Sequence, residues 1–142
     1  MASATVPTWH PLLQTHLSQS PSSLTLATVT RNNHGQYVPR ARTVQFRGFF
    51  PDPQNMHADA ISALETHGIG RNPLAYESDL LTLSTDARME KAREIMENDQ
   101  VELVWWLPTI QKQWRLRGRA VIIGHPESKE EEKARRMIQP WL

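Results

Sequence analysis

The chain has no cysteine among its 142 residues. Disulfides, thiolate metal sites and cysteine nucleophiles are therefore excluded, and a reducing compartment suits it. Net charge is almost absent as well: 16 Lys and Arg against 15 Asp and Glu leave +1. No global field attracts nucleic acid or a membrane surface, so any anion site has to be local. No apolar run approaches the roughly 20 residues that cross a bilayer. The start, Met1-Ala2-Ser3-Ala4-Thr5-Val6, lacks the basic and apolar regions of a signal peptide. The expectation is a cytoplasmic protein with neither nucleic-acid nor membrane partners. The 6 histidines are scattered without metal-binding spacing, and no nucleophile elbow, P-loop or dinucleotide fingerprint occurs.

The length suits one domain, 1–142. Thr8 to Gln19 reads as a helix with Thr8 at its N-cap and Trp9, Leu12, Leu13 and Leu17 as its apolar stripe. Leu24 to Thr30 alternates apolar and hydroxyl residues, the pattern of a half-buried strand. Asn32-Asn33-His34-Gly35 is a turn cluster, and a strand from Tyr37 to Phe49 completes a hairpin. Pro51 to Ser78, rich in Pro, Gly, His and Asn, reads as a long loop or insertion, with a turn or two of helix within His57 to Thr66. Further strands are expected at Leu80 to Ser84, Gln100 to Leu107 and Gln111 to Ile123. Helices are expected at Ala87 to Asn98, capped by Asp86 and burying Ala92, Ile95 and Met96, and at Lys129 to Gln139. Strands outnumber helices and are joined mainly by hairpins. That predicts a mainly β fold, a small β-barrel with peripheral helices.

Three segments carry chemistry. In Pro39 to Phe49, alternation places Arg40, Arg42, Val44 and Phe46 on one face and Ala41, Thr43, Gln45 and Arg47 on the other. Arg42 and Arg47 reach one ligand only if it wraps the strand edge or if a bulge near Gly48 re-aims Arg47. The same row of charge also suits a protected edge strand. In Ser84 to Lys91, Thr85 offers a hydroxyl at a helix start, where free N–H groups favour an anion. Arg88 and Lys91, three residues apart, would share a helix face. In Gln111 to Arg119, Gln113, Arg115, Arg117 and Arg119 fall opposite the core-facing Trp114 and Leu116. They either line a cofactor cleft or pair with Glu102 and other acids across the sheet. Gln113 both donates and accepts, which suits the mixed edge of a flavin or pyrimidine.

Arg42-Thr43-Val44-Gln45-Phe46-Arg47-Gly48-Phe49, Ser84-Thr85-Asp86 with Arg88 and Lys91, Trp105-Trp106, and Gln113-x-Arg115-x-x-Gly118 occur in this order. The ordered set resembles the pyridoxamine 5′-phosphate oxidase-like FMN-binding split barrels, particularly the FMN-binding subfamily of fungi and cyanobacteria. The resemblance implies a homodimer with FMN at the subunit interface. Arg42 and Lys91 would hold the phosphate with Thr85, and Arg88 is placed beside them. Thr43, Val44, Gln45, Phe46 and Arg47 would run along the isoalloxazine, and Gln113 would bond its edge. In members that are oxidases, a hydride passes from substrate to flavin and oxygen takes the electrons, giving peroxide.

The likeness weakens at three places. Glu90 stands where the oxidases have a phosphate-binding arginine, with Arg88 as its substitute. Lys129 to Arg136 does not match the oxidases' substrate-phosphate set. The later strands of the family, with a Trp and an Arg-x-His motif, are missing after Leu142, so a C-terminal part is expected to be lacking. FMN binding thus keeps its residues, whereas vitamin-phosphate recognition loses them. The expectation is an FMN-binding protein of oxidoreductase type acting on an unidentified small molecule. The alternative is a non-enzymatic dimeric scaffold.

Overall fold

A computed structural model describes residues 9–50, 62, 65, 66, 68, 78–85, 88–124 and 129–141. The expected caps Thr8 and Asp86 and most of the 51–78 segment lie outside them. Within that segment, Ser62, Glu65 and Thr66 are helical, and Thr66 Oγ1 donates to the Ser62 carbonyl at 2.8 Å. This agrees with the short helix expected there.

Helix α1, Trp9–Gln19, precedes the hairpin of β1, Leu24–Arg31, and β2, Tyr37–Val44. The hairpin pairs along its whole length, from Leu24 opposite Val44 to Arg31 opposite Tyr37. Its turn forms as the residues dictate. Asn32 Oδ1 accepts the N–H groups of His34 and Gln36 at 2.9 and 3.0 Å, and Gly35 takes φ +75°. Then come β3, Phe46–Phe50, β4, Leu80–Leu83, α2, Glu90–Glu97, β5, Gln100–Leu107, and β6, Lys112–Arg119. Helix α3, Lys129–Ile138, and a 3₁₀ turn, Gln139–Trp141, follow.

The architecture is mixed, with mostly strands. An antiparallel sheet runs β2-β1-β5-β6, and β3-β4 forms a second, two-stranded sheet. The barrel expected from the sequence is not seen to close: among the described residues no ladder joins the two sheets. The strand expected over Tyr37 to Phe49 divides at Gln45, which belongs to neither ladder. Register then slips between Phe46 and Phe49, where Gly48 adopts φ +95°. A bulge with glycine in the left-handed region bends the strand, and here it carries the chain from one sheet to the other.

The core lies between the sheets. Leu24, Leu26, Val44, Leu103, Trp105 and Leu107 enter it from the larger sheet, Phe49 from the smaller, and Leu13 and Ile95 from α1 and α2. Trp105 has no exposed surface and meets Phe46 edge to face at 5.3 Å. Helix α1 is fastened at both ends. His10 stacks on Phe49 at 3.6 Å with Nδ1 2.5 Å from Asp79 Oδ1, and His16 Nδ1 accepts from Trp114 Nε1 at 3.0 Å. Its stripe is narrower than expected, because Leu12 is exposed.

Strand β6 ends at Arg119, not Ile123, and its arginines are paired. Arg115 bonds Glu102 at 2.7 Å, and Arg119 bonds Asp99 at 2.6 Å. These arginines hold both carboxyls below their ordinary range, mainly through side-chain hydrogen bonds. A depressed folded-state pKa favours folding above the ordinary carboxylate value near 4, and that contribution is lost as pH falls through the folded value. The stability difference between pH 6 and pH 3, read from urea unfolding, should therefore shrink when Arg115 and Arg119 are both replaced by Gln. An unchanged difference would show the pairs to be thermodynamically silent, as many exposed ones are.

Candidate functional site

The hairpin and α2 build the site. Leu26 pairs with Arg42 across β1 and β2, so Arg42 lies on the core face with Leu24, Leu26, Thr28 and Val44. A guanidinium on such a face needs acceptors. Nη1 donates to the Leu26 carbonyl at 3.2 Å and to Thr28 Oγ1 at 2.9 Å. Nη2 lies 2.8 and 3.3 Å from Glu94 Oε1 and Oε2. Thr28 Oγ1 closes the ring by donating to Glu94 Oε2 at 2.8 Å. Glu94 is only 6% exposed and Thr28 1%.

This alters the expected helix. It begins at Glu90 with Met89 at the N-cap and no capping side chain, so Arg88 precedes the helix and shares no helical face with Lys91. Ala92 and Ile95 are buried as expected, but Met96 is 65% exposed. The inward side is turned toward Glu94, because the sheet beneath presents Thr28 and Arg42 rather than hydrocarbon. The Glu94–Thr28 pair escaped the sequence reading. The available signal was Arg42 alternating with core residues, which called for a carboxylate on a covering helix.

The expected phosphate residues fall into two groups. Lys91, half-buried, is three residues from Glu94 on the same helix face, and Glu94 is the carboxylate that Arg42 engages. Among the described residues, Lys91 has no hydrogen-bond or ion-pair partner. Thr85 and Arg88 are exposed before the helix and neither is without a partner; Thr85 Oγ1 lies 3.9 Å from Met89 Sδ. Beside Glu94 runs a groove of about 380 Å³, lined by Thr30, Val38, Arg40, Glu90 and Arg93 among others.

The expected ring-binding residues lie elsewhere. Val44 is core and Phe46 half-buried against it, while Thr43, Gln45 and Arg47 are exposed. Gln113 is exposed on the opposite face of the sheet from Arg42, across from Trp106, which is 54% exposed. Strands β2 and β6 are the two edges of the sheet, three strand spacings or about 14 Å apart along it. One copy of the chain therefore does not gather Arg42 and Gln113 around one small ligand. Of the Arg115, Arg117 and Arg119 row, the reading that holds is pairing with Glu102 and Asp99.

Residues 6–124 match the family described as pyridoxamine 5′-phosphate oxidase, FMN-binding domain. No curated protein matched. Among solved structures, the fold is similar to that of a pyridoxamine 5′-phosphate oxidase-related, FMN-binding protein from Nostoc punctiforme, at 22% identity and a TM-score of 0.59. The likeness covers 96% of this chain and 55% of that one, so this chain spans about half the neighbour's length.

Proposed function

Because the chain belongs to the pyridoxamine 5′-phosphate oxidase FMN-binding domain family, we propose that it binds FMN as a split-barrel homodimer and serves as a flavin-dependent oxidoreductase for a small molecule. The observation that carries this reading is Lys91, a half-buried cation with no partner among the described residues, on the helix whose Glu94 engages Arg42, within the matched segment. The donor set suits the cofactor. Lys91, Thr85 and Arg88 offer positive charge and a hydroxyl for a phosphate monoester, while Arg42 is engaged by Glu94. Gln45, outside both ladders, offers main-chain groups to a heterocycle edge, flanked by Thr43, Val44, Phe46 and Arg47. Gln113 offers an exposed amide.

The opposed faces of Arg42 and Gln113 support the dimer, since two copies supply what one does not. When bound, FMN accepts and returns a hydride equivalent; the chain's residues bind and orient it. Arg42's engagement by Glu94 favours a second reading, a dimeric scaffold that does not use the cofactor.

Titration of the purified chain with FMN and with riboflavin, followed by flavin fluorescence, separates the two. Saturable FMN binding is expected, and Lys91→Met should weaken it by about tenfold, the equivalent of 1.4 kcal/mol, while leaving riboflavin affinity unchanged. Absence of any FMN binding by the wild-type chain would remove this reading and leave the scaffold.

A further inference from the structure

Arg42 is spoken for in this fold. Both Nη1 hydrogens have acceptors in the Leu26 carbonyl and Thr28, and Nη2 faces both oxygens of Glu94. Nε is its one nitrogen with no acceptor among the described residues. The carboxylate is held in turn by Thr28 and is nearly sealed from solvent. A guanidinium that already faces a buried carboxylate has little net field left for a second anion. Moreover, the paired N–H fork that grips a phosphate is partly taken.

We propose that Glu94 is a resident counter-anion that silences Arg42 toward phosphate monoesters, so that the charge recognising such a group comes from Lys91. This rests on the FMN-binding reading and deepens it. Glu94 is a positioning residue in this account: it acts through Arg42. Two consequences follow from charge alone. Neutralising Glu94 while keeping its shape frees the cation for phosphate. Removing cation and carboxylate together changes little.

The test compares FMN with riboflavin, which differ by the phosphate, in wild type and Glu94→Gln. FMN should bind the variant about tenfold more tightly, the size of effect from one partly screened charge nearby, with riboflavin affinity unchanged. Equal tightening of both ligands overturns the proposal, because the effect would not run through phosphate. Unchanged or weaker FMN binding in the variant also overturns it, and leaves FMN binding by the wild type intact. If only the variant binds FMN, the counter-anion stands and the wild-type reading falls; if neither binds, both fall.

Should Glu94→Gln fail to give a cooperative unfolding transition, the double variant Arg42→Met with Glu94→Met decides. Apolar replacement of a whole buried pair is often tolerated. Its FMN affinity should stay within about threefold of wild type, and a larger loss would show that Arg42 holds the phosphate after all.

Discussion

Replacing Trp105 with alanine should cost about 3–5 kcal/mol, the range for deleting a large aromatic from a packed core. Trp105 is fully enclosed and stands where the two sheets meet, with Phe46 of the smaller sheet against its ring. An edge-to-face pair adds about 0.5–1.5 kcal/mol beyond the buried area. Small domains hold about 5–15 kcal/mol in total, so the loss is a large fraction of the stability at the lower end of that range. A second substitution isolates the cause. The Trp105 indole N–H is buried with no acceptor among the described residues, and an orphaned buried donor costs about 1–3 kcal/mol. Trp105→Phe keeps a ring and removes that donor, so its loss should stay under about 1.5 kcal/mol. Urea unfolding with a constant m-value measures both. Equal losses for Ala and Phe would mean that packing is not the source.

Much of this arrangement was legible because period-2 alternation and turn chemistry are local. Leu24 to Thr30 and Gln100 to Leu107 fall within a residue of the observed strands, and Asn32 to Gly35 forms its turn with glycine at positive φ. The bulge at Gly48 was also legible, since a glycine inside a charged strand marks where a ladder is interrupted. The family showed through for a different reason: four weak motifs in a fixed order are jointly specific. What stayed hidden depends on non-local pairing. Whether Phe46 to Phe50 continues β2 or leaves it to pair with β4 is settled by Gln45 leaving the ladder, and no local pattern records that. The rotation of α2 was hidden because methionine outranks glutamate on any hydropathy scale. The sheet beneath reverses that order by presenting a guanidinium and a hydroxyl. The separation of Gln113 from Arg42 follows from register, which became visible only once Leu26 was seen to pair with both Arg42 and Leu103.

Glu94→Ala is the other substitution expected to have a large effect, a loss of about 2–4 kcal/mol. Removing one partner of a buried ion pair costs about 3–5 kcal/mol because the other charge is left uncompensated. The expected loss is shifted below that range because Arg42 retains 23% side-chain exposure, so water can reach it. Thr28 also loses its acceptor while remaining buried. Glu94→Gln keeps an oxygen for both partners and should cost roughly half as much. The triple change Thr28→Val, Arg42→Met and Glu94→Met removes the demand for acceptors along with the acceptor, and should fall within about 1 kcal/mol of wild type. The ordering Ala, then Gln, then the triple variant is therefore the diagnostic result. It would not arise if Glu94 contributed only packing volume, since two methionines fill the space no better than glutamine does. A Glu94→Ala loss below about 0.5 kcal/mol in urea unfolding, the scale of an ordinary surface change, would show that the Arg42–Glu94–Thr28 ring does not hold α2 on the hairpin.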